Sequence, residues 1–176
     1  MTSEAVKMDV DKHRQYRQSL GDQVNNIEQE ARMLLPGIQA LFGFQLMAVF
    51  NQGFKANLLP FEQALHLLAL LLVSISGILV VAPAAYHRQA NHQISKHFVE
   101  LSSKYLASSM APLALGTCVD IYLVAKVIVG TNWISLVTAG IVFFLYTWIW
   151  FVLPRLRAKK IEDMPIHDLA EERKTT

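Results

Sequence analysis

Asp120 has the most chemistry to offer in this sequence, because it sets a carboxylate inside the apolar run 106–129. In a bilayer a charge at such depth costs several kcal/mol and marks an ion pathway or a pairing partner. Lys126 follows six residues later, about 240° around a helix at 100° per residue, so the two cannot pair within one helix. Its long stem is expected to carry the ammonium to the outer surface instead. In the run 65–85, His66 lies one turn beyond Glu62, and the two share a helix face. Gln45 and Gln52, seven residues apart, share another, and Gln39 adds an amide further back in the run 31–50. Gln39, Gln45, Glu62, His66, Asp120 and Lys126 are therefore the candidates for an ion pathway in the outer half of a membrane. The competing reading is a hydrogen-bond network that ties helices together.

A second constellation has four members. Glu30 and Arg32 stand at the entrance of the first apolar run, and His87 and Arg88 at the exit of the second, so an antiparallel hairpin brings all four to one interfacial level. Glu30 and Arg88 are the expected ion pair, while interfacial arginine also suits lipid phosphate. His87, His92 and His97 recur every five residues, about 140° apart net, which spreads them around a helix. No zinc site is expected, and a single cysteine, Cys118, excludes an internal disulfide.

The elements that must position these groups follow from composition. The chain has 176 residues, 53% hydrophobic and 17% charged, a poorer charge content than the roughly 25% of soluble domains. Four apolar stretches, 31–50, 65–85, 106–129 and 133–153, have the length of about 20 residues that crosses a hydrocarbon core. Short links between them make antiparallel neighbours. The expected fold is an all-α antiparallel bundle of four transmembrane helices over 31–154. Fourteen of the sixteen Lys and Arg fall before or at the entrance of the first span, between the second and third, or after the fourth. The positive-inside bias then sets both termini and the central loop in the cytoplasm. Trp133 at one end of the last span and Trp148 and Trp150 at the other stand where interfacial aromatics sit. The first thirty residues have no apolar core, so no signal peptide is expected.

Helical stripes extend beyond the spans. Leu20, Val24, Ile27, Ala31 and Leu34 follow a 4,3,4,3 spacing, and Ile94, Phe98, Leu101, Tyr105 and Ser108 repeat it. The two stripes are expected to lie on the membrane surface or against each other, with contact between subunits as the alternative. Residues 1–19 and 163–176 are charged and lack periodicity, and are expected as mobile segments.

Two stretches carry a family resemblance. Glu30-Ala31-Arg32 followed by Pro36-Gly37-Ile38-Gln39-Ala40-Leu41-Phe42-Gly43-Phe44, and Ala82-Pro83-Ala84-Ala85-Tyr86-His87-Arg88, resemble an uncharacterised bacterial family of small four-helix membrane proteins. The similarity runs from about 28 to 154 and implies a multi-pass protein of the bacterial inner membrane, some of whose relatives are labelled sodium:proton antiporters. It points to Glu30, Arg32, Gly37, Gln39, Pro83, His87 and Arg88, whereas depth in the membrane points to Asp120 and His66.

No phosphate loop, nucleophile elbow, metalloprotease motif or haem-ligating pair is present, so neither an enzyme nor a cofactor is expected. A net charge of +2 spread along the chain gives nucleic acid nothing to bind. Two classes remain: an ion channel or ion-coupled transporter for protons or cations, or a structural or accessory membrane protein. Four helices enclose little beyond their own side chains, so the first class implies a homo-oligomer with a route between subunits. The second merely permits one.

Overall fold

The computed structural model describes residues 3–89 and 96–156, with side chains from 18 to 88 and from 96 to 156. His92 and Ile94, and the tail from 157 onward, lie outside the described residues. Helix α1 spans Ser3–Val49, a short α2 spans Gln52–Asn57, and α3, α4 and α5 span Pro60–Gln89, Lys96–Val129 and Asn132–Thr147. A π-helical turn at Trp148–Val152 continues α5. The described residues contain no strand, so the all-α expectation holds. Four segments, Gln18–Val49, Pro60–Arg88, Lys96–Val129 and Asn132–Leu156, are long and apolar enough to cross a membrane.

α1 begins at Ser3, well before the apolar stripe at Leu20. Between Ser3 and Leu20 the chain has no Gly or Pro, and its Glu, Lys, Arg, Gln, Met and Ala are good helix formers, so propensity supports the helix ahead of the apolar stripe. The two stripes do meet: Leu20 and Val24 of α1 form a buried cluster with Phe98 and Val99 of α4. On α4 the buried face is Phe98, Ser102, Leu106 and Ser109, rotated from the expected Phe98, Leu101, Tyr105 and Ser108. The expected stripe followed apolar side chains. The observed one follows small serines that admit close helix contact.

α3 and α4 make the central contact of the bundle, α1 leans on both, and α5 packs chiefly on α4. Lipid tails are as apolar as leucine, so close packing and hydrogen bonds hold such helices together. Ser76, fully buried on α3, donates from Oγ to the Ser109 carbonyl at 2.9 Å, and Ser109 Oγ donates to the Leu106 carbonyl at 2.7 Å. One turn past Pro112, Gly116 marks a close approach of α4 to α3. A Cβ there would stand 2.9 Å from Val73 Cγ2 and 3.1 Å from the Ala69 carbonyl oxygen. Val73 has no exposed surface and backbone cannot rotate aside, so the helices must separate. Gly116→Ala is expected to destabilise the fold by about 1–3 kcal/mol, the usual range for overpacking. Gly43→Ala, where a Cβ meets nothing within 4 Å, should leave stability unchanged or slightly raised. Thermal unfolding in detergent compares the two, and equal midpoints would contradict the close contact.

The chain reverses twice at the end of the bundle away from the N terminus. Gly130, at φ 70°, ends α4, its N–H donating to the Lys126 carbonyl at 2.8 Å. α1 stops at Val49, Asn51 caps α2 by accepting from the Gly53 N–H at 3.0 Å, and Glu62 reaches back to accept from the Leu59 N–H at 2.9 Å at the start of α3. Gln45 and Gln52 therefore sit on different helices and share no face. This distal end gathers the polar side chains.

Candidate functional site

Each member of the distal group reaches it by helix register. Gln45 lies four residues before the end of α1, His66 six residues into α3, and Asp120 nine residues before the end of α4. At 1.5 Å per residue these are depths of about 6 to 14 Å from the helix ends. Gln45 is 4% exposed, Glu62 3% and His66 7%, so three polar groups are packed almost completely within apolar helices.

The geometry joins three helices through one carboxylate. Gln45 Nε2 donates to Asp120 Oδ2 at 2.6 Å. His66 Nδ1 lies 3.5 Å from Asp120 Oδ1, and His66 Nε2 lies 3.0 Å from the Gln45 backbone oxygen. Phe54, from α2, sets its ring edge-on to the imidazole at a centroid distance of 5.2 Å. One turn nearer the helix ends, Lys126 pairs with Glu62. Lys126 does not snorkel to a surface, since its side chain is only 15% exposed: α3 brings Glu62 to it, a partner on another helix that spacing within α4 could not disclose.

These contacts constrain protons. A backbone carbonyl only accepts, so Nε2 of His66 carries a hydrogen. Nδ1 then faces a carboxylate oxygen. With no proton between them, two lone pairs would oppose each other. The arrangement is satisfied by a protonated imidazole beside a carboxylate, or by a neutral imidazole beside a carboxylic acid, and in both cases the pair holds one exchangeable proton. A metal ion suits the site poorly, because amide and ring hydrogens already point at the oxygens. No group of three or more His, Cys, Asp or Glu able to hold a metal occurs among the described residues.

A cavity of about 450 Å³ opens onto this network, lined by Gln45, His66 and Asp120 and walled by Phe44, Phe54, Leu123 and neighbouring aliphatic residues. Gln45 Oε1 is buried without a hydrogen-bond partner.

The opposite end holds a smaller cavity of about 330 Å³ between α1, α3 and the start of α4, lined by Glu28, Arg32, His87 and Arg88 with Leu35, Val80 and Phe98. Arg32, His87 and Arg88 thus converge as the hairpin argument required. Glu30 does not. It is exposed, and Glu28 takes its place, its Oε2 lying 3.4 Å from Arg32 Nη2. Glu30 is two residues, about 200°, around the helix from Glu28 and so turns away from α3. The expected Glu30–Arg88 pair is accordingly absent. His97 is exposed, and His87 lies against Phe98 at a ring-centroid distance of 5.3 Å. Gln39 is exposed on α1 and joins neither constellation, because Ile38 is the residue turned into the core.

Residues 13–154 match the profile of the family of unknown function DUF6328, a stretch that covers α3 and α4 whole and nearly all of the apolar parts of the first and last long helices. The chain belongs to this family. No curated protein and no solved structure matches it. Both constellations, Gln45 through Lys126 and Glu28 through Arg88, lie inside the DUF6328 match.

Sequence reasoning missed Phe54 and Glu28. Glu28 had a signal, its spacing of four from Arg32. Phe54 had none, since only the fold of α2 over the end of the bundle brings it to His66.

Proposed function

We propose that this protein is a multi-pass protein of the bacterial inner membrane that binds and translocates protons, and that the Asp120–His66 pair is its proton site. The carrying observation is that both ring nitrogens of His66 face oxygen acceptors, the Gln45 carbonyl at 3.0 Å and Asp120 at 3.5 Å. Such a pair keeps a proton when occupied and leaves an uncompensated charge when empty, which is the asymmetry a carrier or channel site needs. Glu62 and Lys126 cancel each other and leave the proton at Asp120 as the variable charge. In this reading there is no enzymatic step and no cofactor. Four helices leave no room for a continuous aqueous route, so the working unit is a homo-oligomer in the lipid bilayer, with the exposed apolar face of α5 available to meet lipid or a second copy. A structural role for the same network is the second reading. It is favoured by the full pairing of Asp120.

The deciding test is flux into liposomes containing purified protein. Wild-type protein should dissipate a pH gradient, and Asp120→Asn, whose carboxamide imitates the protonated acid, should lower the rate at least about tenfold and flatten its pH dependence. Equal rates for both proteins would remove Asp120 from the mechanism. No flux from the wild type under any ion gradient would leave the structural reading.

The topology carries its own prediction. With Cys118 replaced, a cysteine at position 55 should react with an impermeant reagent added outside cells and one at position 96 should not, because the basic residues gather on the side of position 96. The reverse pattern would overturn the cytoplasmic placement of the termini.

A further inference from the structure

The distal cavity is far larger than a proton requires. At about 450 Å³ it falls in the range of small-molecule sites, roughly 300–1,000 Å³. Its walls are mostly hydrocarbon, with the rings of Phe44 and Phe54 among them. A hydrated inorganic ion would lose its water there with little in return. Phe44 is 70% exposed and Ile128 76%, so the mouth lies between the outer faces of α1 and α4, where a solute dissolved in lipid can reach it.

The charge of the lining selects the ligand. Asp120 is its one acidic residue, and neither Lys nor Arg lines it, the nearby Lys126 being held by Glu62. Without its proton the Asp120–His66 pair carries one net negative charge. Gln45 Oε1, with no hydrogen-bond partner, adds an oxygen acceptor among the lining residues. Carboxylate, amide oxygen and two aromatic rings together favour a positive guest, since ring faces attract cations, and repel an anion.

We infer that the cavity binds a lipophilic organic cation, which enters from the membrane between α1 and α4 and displaces the proton held by Asp120 and His66. The inference rests on the proton-site reading of that pair. The exchange balances: one monovalent cation enters, one proton leaves to water, and the site stays neutral overall. Bound cation and bound proton exclude each other, which couples their movements if the protein alternates between the two membrane faces.

The test uses the full chain in detergent and the probe tetraphenylphosphonium. Calorimetry should show saturable binding with release of about one proton per cation, and the affinity should rise by about tenfold per pH unit where the site is protonated. The uncharged analogue triphenylphosphine oxide should not compete. Asp120→Asn should weaken binding at least about tenfold. Val127 lines the cavity and takes no part in the hydrogen bonds or ion pairs of the network, so Val127→Phe narrows the cavity; it should abolish cation binding and leave proton-driven flux in place. Binding that is independent of pH and equal in Asp120→Asn would overturn the inference, as would no binding of the probe at all. If proton flux persists while the probe fails to bind, the proton site stands and the organic-cation site falls. If neither is seen, both fall.

Discussion

Asp120→Leu is expected to abolish stable folding of the bundle, whereas Asp120→Asn folds with nearly wild-type stability. Leucine fills the space but leaves Gln45 Nε2 and the Nδ1 side of His66 facing hydrocarbon, where each lost partner costs about 1–3 kcal/mol. The carboxylate joins α1, α3 and α4, so its loss loosens all three. Asparagine preserves both ends: its Oδ1 accepts from Gln45, and its Nδ2 donates to Nδ1 of a neutral His66 whose Nε2 hydrogen stays on the Gln45 carbonyl. Its cost should stay within about 1 kcal/mol. Chemical unfolding in mixed micelles measures both. A leucine variant as stable as the asparagine variant would mean that the network holds nothing together. The contrast also separates the two functional readings, because only a proton-carrying role makes the well-folded asparagine variant inactive.

Lys126→Met should destabilise the protein by about 3–5 kcal/mol, since it strands the Glu62 carboxylate, whose side chain is 4% exposed, without its cation. Removing both charges should undo most of that loss. In Glu62→Gln with Lys126→Met, the Gln carbonyl still accepts from the Leu59 N–H at the start of α3, and no buried charge remains. A double-mutant cycle on unfolding free energies gives the coupling. Additive single effects would show that Glu62 and Lys126 do not act as a pair. Retained flux in the double variant would further place the pair outside the proton route, as its neutralised charges suggest.

The second constellation illustrates how far spacing reaches. That Arg32, His87 and Arg88 share one end of the bundle follows from where two apolar runs begin and end, and the fold agrees. Which acid joins them depends on the rotation of α1 about its axis. Glu28 and Glu30 differ by about 200° in that rotation, and a count of residues to the membrane edge treats them alike. The stripe on α4 failed in the same way. Its serines are hidden from a hydropathy pattern, yet Ser102 and Ser109 are each 1% exposed because small side chains let α3 and α4 approach.

By itself the sequence determined the all-α class and the number of long apolar helices, because hydropathy summed over about 20 residues is insensitive to local rotation. It also marked Gln45, His66 and Asp120 as polar groups at a common depth, since depth depends only on counting residues from a span's end. Tertiary structure alone decided the partners. It paired Lys126 with Glu62 across helices, turned both nitrogens of His66 toward oxygens, folded Phe54 over the imidazole and left Gln39 outside. Those outcomes depend on how four helices rotate and cross, which is settled by contacts between residues far apart in the chain, such as Gly116 against Val73.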